Sequence, residues 1–68
     1  MLVLANETRG IIYRIVTLIK EGDGVKGLLL RDPKTGEDFE LFFPKEKRRD
    51  QLFKPWLNTL GYKIGKTK

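Results

Sequence analysis

The densest run of apolar residues lies between Gly10 and Lys20, where β-branched and aromatic side chains dominate (GIIYRIVTLIK). Such residues favour an extended strand, and the Gly22-Asp23-Gly24 triplet that follows is typical of a turn. Simple alternation divides this strand into two faces: Ile11, Tyr13, Ile15, Thr17 and Ile19 on one, and Ile12, Arg14, Val16, Leu18 and Lys20 on the other. Because both faces are largely apolar, the pattern predicts that each is covered by something.

The next two apolar segments indicate a β-hairpin. Val25–Arg31 (VKGLLLR) and Glu37–Phe43 (EDFELFF) read as strands, and Asp32-Pro33-Lys34-Thr35-Gly36 between them has the composition of a turn. Gly27 is predicted to mark a bulge or a close backbone approach. In the second strand, alternation assigns Phe39, Leu41 and Phe43 to the core face and Asp38 and Glu40 to the other.

After Pro44 the apolar period changes from two residues to three or four. Leu52, Phe53, Trp56, Leu57 and Leu60 fall within an arc of about 140°, which predicts an amphipathic helix with these side chains in the core. Pro55 is tolerated if the helix begins near Asp50 or Gln51, since the first turn has unpartnered N–H groups; a kinked helix from Lys45 is the alternative. Gly61 is placed to end the helix.

Together these elements predict one α+β domain over residues 1–68: a three-stranded antiparallel sheet followed by a C-terminal helix, in the order β-β-β-α. A short extra strand at Leu2–Ala5 is an option, and the tail Tyr62–Lys68 is expected to be loose, although Ile64 can dock on the core. To cover the second apolar face, either the sheet curls into a small SH3-like or OB-like barrel, or two chains form a homodimer.

The composition lacks several of the side chains that most often carry out catalysis in enzymes. The 68 residues include no cysteine and no histidine, which excludes thiol nucleophiles, histidine general bases and the commonest metal ligands. The carboxylate pairs Glu37/Asp38 and Glu21/Asp23 lie at a strand start and in a turn, where such groups are ordinarily solvated. We therefore expect no enzymatic activity, no cofactor and no metal site. With neither a signal peptide nor a membrane span evident, a cytoplasmic location is expected.

The distribution of charge suggests a partner. Residues 1–43 hold six bases and seven acids, whereas residues 44–68 hold eight bases and two acids, which gives −1 and +6 within a total of +5. An excess of positive charge in one region favours polyanions, above all nucleic acid, and an acidic protein is a second possible partner. The candidate phosphate-binding residues are Lys45, Lys47, Arg48, Arg49, Lys54, Lys63 and Lys66, with Lys68 as a further contributor.

These observations favour a small, non-enzymatic protein that binds DNA or RNA and acts as an accessory or regulatory component. Among the aromatic residues, Phe42, Tyr13 and Tyr62 are the better candidates for stacking on bases. The alternative is a protein-interaction module, such as an adaptor, inhibitor or subunit, that docks through its apolar strand face or edge. In both interpretations no membrane is involved.

Overall fold

A computed structural model describes residues 1–67 and shows a five-stranded antiparallel sheet with one short helix packed on one face. The elements are β1 (Leu2–Asn6), β2 (Ile11–Glu21), β3 (Gly24–Arg31), β4 (Asp38–Phe42), α1 (Phe53–Thr59) and β5 (Lys63–Lys66). The spatial order is β4-β3-β2-β1-β5, so β2 is central and the sheet ends at β4 and β5. One 3-10 turn, Lys45–Lys47, lies between β4 and α1.

The predicted three-stranded sheet is wrong, because strands from both ends of the chain extend it to five. β1 matches the optional strand at Leu2–Ala5. β5 occupies the tail that the sequence predicts to be loose, and Lys63 there pairs with Ala5. A four-residue strand with a single large apolar side chain, Ile64, has no periodic pattern of its own, and its partner lies at the opposite end of the chain.

The sheet also does not close into a barrel. Within residues 1–67, β4 pairs with β3 and β5 pairs with β1, but β4 and β5 do not pair with each other. The seven residues of α1 and the segment that precedes it cover one face of the sheet. The opposite face therefore stays open within a single chain, and we call it the open face.

The predicted hairpin is confirmed as β3 and β4. Leu28 pairs with Leu41, and the connecting turn is closed by a 2.7 Å hydrogen bond from the Gly36 N–H to the Asp32 carbonyl. Gly36 has a φ of 77°, a left-handed conformation that glycine adopts at little cost. Gly27 is a point of close backbone approach, as predicted, because a Cβ there would strike the Leu41 carbonyl.

The core lies between the sheet and the helical segment. Its buried members are Leu4, Ile15, Leu28, Leu30, Phe43, Phe53 and Leu57. The Phe43 and Phe53 rings stack with centroids 4.7 Å apart, and the half-buried Trp56 meets Phe43 edge-on at 5.8 Å. Phe39 lies on the core face as predicted, because it pairs with Leu30, but it is 39% exposed on the edge strand, with its ring against Tyr13. The prediction that Leu52 and Leu60 lie in the core is wrong, because they are 44% and 51% exposed.

A β-bulge in β2 changes the predicted assignment of faces. Ile15 pairs with Leu30 but Thr17 pairs with Leu29, which leaves Val16 as the extra residue. Alternation therefore shifts by one residue, and Leu18 joins the core side while Thr17 and Ile19 turn to the other side. From this register the open face includes Ile12, Arg14, Val16, Thr17, Ile19, Leu29, Arg31, Asp38, Glu40 and Phe42.

The helix begins later than predicted. Asp50 and Gln51 have φ values of 55° and 57°, which are incompatible with a right-handed helix, so α1 starts only at Phe53. Pro55 consequently falls within the first turn, where its missing N–H costs nothing, and Gly61 follows the helix with a φ of 89°, both as predicted. Across residues 1–67, no helix has the length and apolar character needed to cross a membrane.

Candidate nucleic-acid interface

The candidate basic residues begin in the segment that connects β4 to α1. Pro44 ends the strand ladder, and the Lys47 N–H donates to the Pro44 carbonyl at 2.9 Å to form one tight turn. The Val25 N–H donates to the Arg48 carbonyl at 3.0 Å, which fixes this segment against the start of β3. A Cβ at Gly24 would strike that same carbonyl, so the close approach depends on glycine. The basic segment is therefore packed on the β2–β3 turn.

Arg48 supplies the side-chain part of this attachment. Its Nε donates to the Phe43 carbonyl at 2.8 Å, and its Nη1 donates to Glu21 Oε2 at 3.0 Å. The Arg48 side chain is only 20% exposed. These contacts give Arg48 a structural role, and a phosphate would have to compete with Glu21 for its guanidinium. Because Glu21 lies 27 residues away along the chain, no local sequence signal indicates this pair.

Replacing Arg48 by glutamine should therefore destabilise the fold. The substitution removes a charge-assisted hydrogen bond and leaves the Phe43 carbonyl without its partner, which costs about 1–3 kcal/mol. Arg49→Gln is the matched control, because Arg49 is exposed and should change the free energy of unfolding by no more than about 0.5 kcal/mol. Urea unfolding followed by Trp56 fluorescence measures both values. Equal stabilities for the two variants would refute the structural role of Arg48.

Three other bases of this segment have no acidic partner among residues 1–67. Lys45 and Arg49 are exposed and Lys47 is partly exposed. Among residues 1–67, the only carboxylates within 4.0 Å of a basic side chain are those of Glu21 and Asp38. Among these residues the cluster therefore forms no ion pair with its neighbours Glu46 and Asp50. An open depression of about 310 Å³ beside the β2–β3 turn is lined by Lys45, Arg48 and Arg49 but also by Glu21 and Asp23.

Two further lysines line one groove between α1 and β5. Lys54 from the helix and Lys63 from the strand line an open depression of about 340 Å³, together with Leu57, Asn58 and Ile64. The tertiary structure thus brings together two bases that are nine positions apart. Lys66 lies at the far end of β5, opposite Leu2. Lys68 lies outside the described residues.

The acidic residues of the hairpin are on the open face at the other edge of the sheet. Arg31 Nε donates to Asp38 Oδ1 at 2.7 Å and Arg31 Nη2 donates to Asp38 Oδ2 at 3.1 Å. The hydrogen bond between Arg31 and Asp38, aided by the attraction of their opposite charges, lowers the pKa of Asp38 and raises that of Arg31. Glu40 is exposed beside them and forms no ion pair with any of residues 1–67. This edge is therefore unsuited to a polyanion.

The three aromatic residues that are predicted to stack on bases differ in exposure. Tyr13 and Tyr62 are half-buried against the core, whereas Phe42 is 46% exposed on the open face. The Lys26 Nζ lies 5.5 Å from the centroid of the Phe42 ring, within the range of a cation–π contact. Phe42 is thus the most accessible of the three rings, but it lies on β4 with the acidic residues rather than beside the basic ones.

The two predicted carboxylate pairs are partly engaged in ion pairs. Glu21 holds Arg48 and Asp38 holds Arg31, so one member of each predicted pair is already engaged in an ion pair. Within residues 1–67 no group of three or more acidic side chains is close enough to hold a metal ion. No protein-family model, curated protein sequence or solved structure matches this chain. Its function is therefore argued from its own surface chemistry.

Proposed function

We propose that this protein is a non-enzymatic nucleic-acid-binding protein with an accessory or regulatory role. Binding occurs through a basic surface on the helical segment and β5, formed by Lys45, Lys47, Arg49, Lys54, Lys63 and Lys66. The observation that carries the proposal is that none of these six side chains lies within 4.0 Å of a carboxylate of residues 1–67. Arg48 is left out because it is engaged with Glu21 and the Phe43 carbonyl.

Unpaired surface bases are suited to phosphates. Each lysine or arginine that neutralises a phosphate releases condensed counterions, so affinity comes mainly from charge and carries little sequence information. The acidic residues Asp38 and Glu40 lie on the edge of the sheet farthest from β5, which orients the protein with this edge away from a polyanion. Binding of this kind is strongly dependent on salt.

Fluorescence anisotropy with labelled single-stranded and duplex DNA and RNA tests the proposal. Two variants remove charge from the surface: Lys45→Gln/Lys47→Gln/Arg49→Gln, and Lys54→Gln/Lys63→Gln. We expect each to weaken binding and to reduce the slope of log affinity against log salt by about 0.7–0.9 for each phosphate that is no longer neutralised. The matched control for the first variant, Arg9→Gln/Lys34→Gln, removes two charges from the β1–β2 and β3–β4 turns, at the end of the sheet opposite Lys45, Lys47 and Arg49, and should bind as the wild type does.

Circular dichroism checks that all three variants remain folded, since exposed bases contribute little to stability. The absence of wild-type binding to all four nucleic acids at low salt would overturn the proposal. So would an equal loss of affinity in the control and the two surface variants, because non-specific net charge would then explain the binding.

The second candidate function is a protein-interaction module that docks through the open face. One observation favours it: Ile12, Val16 and Phe42 are 56%, 39% and 46% exposed, although they belong to strands in a folded sheet. Exposed apolar side chains grouped on one face are typical of an interaction site. This candidate predicts binding that hardly changes with salt, and the same salt titration therefore separates it from the first.

A further inference from the structure

We infer that the open face is the interface of a homodimer, in which two copies of this chain pack their sheets face to face. The dimer does not depend on nucleic-acid binding, because five of the six proposed binding bases lie off this face and only Lys63, in register with Ala5, borders it. The occupant of the open face is a second copy of the chain. A second copy is favoured by the position of the apolar side chains, by the unpaired charges of Arg14 and Glu40, and by the area of the face.

The apolar side chains of the open face occupy its centre. Ile12 and Val16 lie on β2, the middle strand of the sheet, and Leu29 lies next to them on β3. The bulge at Val16 contributes by turning Ile19 to the same side. An apolar centre on a middle strand resembles the inner face of a β-sandwich, where a second sheet packs about 10 Å away.

Besides Lys63, two charges on this face have no partner within the described residues. Arg14 on β2 and Glu40 on β4 are both exposed, and neither forms an ion pair with any of residues 1–67. Arg14 pairs in register with Arg31, and Arg31 with Asp38, so Glu40 lies two strands and two residues away from Arg14. Strand spacing and rise place their backbones about 12 Å apart, and their side chains do not pair within one chain.

These two charges make the face complementary to itself. A two-fold dimer repeats every contact, so a patch must contain both partners of each charge pair. A two-fold axis midway between Arg14 and Glu40 crosses β3 at Leu30, between Arg31 and Leu29. It then brings Arg14 of each copy opposite Glu40 of the other, with Leu29, Val16 and the Arg31–Asp38 ion pair nearest the axis.

A polyanion has no net attraction to strands β2 to β4 of this face, because Arg14 and Arg31 are balanced by Asp38 and Glu40. The area indicates how strong the dimer is. Five strands at about 4.8 Å spacing and about five residues of length give a face of roughly 24 Å by 17 Å. Two such faces bury on the order of 1,000 Å² in total, at the low end for a specific interface. We therefore expect a dimer whose population depends on concentration in the micromolar range.

Sedimentation equilibrium from about 10 µM to about 1 mM tests the inference at the concentrations expected for an interface of this size. The wild type should shift from monomer to dimer across this range. Val16→Lys should be monomeric throughout, because it buries a charge at the centre of the interface. Leu60→Lys is the matched control: Leu60 is 51% exposed just after α1, and this variant adds the same charge without affecting the dimer.

Charge-reversal variants test whether the dimer interface has two-fold symmetry. Arg14→Glu makes both members of the pair acidic and Glu40→Arg makes both basic, so each variant alone should dimerise at least about tenfold more weakly. An equimolar mixture should recover dimer formation as a heterodimer, and Arg14→Glu/Glu40→Arg in one chain should recover it as a homodimer. A foreign protein partner would produce neither recovery.

Two results would overturn the inference: a wild-type monomer at every concentration, or a dimer that Val16→Lys and both single charge reversals leave unchanged. Circular dichroism distinguishes loss of the dimer from loss of the fold in each variant. Nucleic-acid binding is measured separately, so failure of the dimer and failure of the proposed function are told apart.

Discussion

Replacing Phe43 by alanine should unfold this protein or bring it to the edge of unfolding. Phe43 is 1% exposed, stacks on Phe53 and meets Trp56 edge-on, so its ring holds the helix on the sheet. Truncation of a buried phenylalanine costs about 3–5 kcal/mol. At about 0.05–0.15 kcal/mol per residue, a chain of this length has only about 3–10 kcal/mol of total stability.

Phe42→Ala is a close control, because Phe42 is the adjacent residue, has the same side chain and is 46% exposed on the open face. The Phe42→Ala substitution should lower the free energy of unfolding by about 1 kcal/mol or less. Thermal and urea unfolding followed by circular dichroism measure both variants. Similar losses of stability for the Phe42 and Phe43 variants would show that Phe43 does not hold the core together.

Replacing Gly27 by alanine should be the second most damaging change. A Cβ at this position would strike the Leu41 carbonyl and lie 3.1 Å from the Phe42 Cα, both of which are backbone atoms of the neighbouring strand. Backbone cannot move aside without disturbing the β3–β4 ladder. We therefore expect a loss of stability near the upper end of the about 1–3 kcal/mol that overpacking usually costs, or more.

Gly65→Ala is the matched control in another strand. A Cβ there meets no atom within 4 Å, and the reduced entropy of the unfolded chain should leave the free energy of unfolding unchanged or raise it by about 0.4–1 kcal/mol. Chemical denaturation of the two variants in parallel measures the difference. A Gly27→Ala protein as stable as Gly65→Ala would mean that β3 and β4 do not approach closely at this point.

Several features of this fold were determined by the sequence alone, because each depends on residues that are near neighbours in the chain. The β3–β4 hairpin follows from two alternating segments around Asp32–Gly36, and the approximate place of the helix follows from its apolar spacing. The end of the helix follows from Gly61, and the close approach at Gly27 follows from a glycine inside a strand. The absence of thiol and imidazole side chains follows from a composition without cysteine and histidine.

The tertiary structure decided the features that depend on distant residues. β5 exists because the tail pairs with β1, which changes a three-stranded sheet into a five-stranded one. Arg48 is a structural residue because Glu21 lies beside it in space. Alternation is exact only in a regular strand, so the bulge at Val16 decided which side chains turn to the open face. Local pattern specifies what each segment can form, but the partner of an edge strand, of a half-buried arginine or of an uncovered face is specified only by the assembled fold.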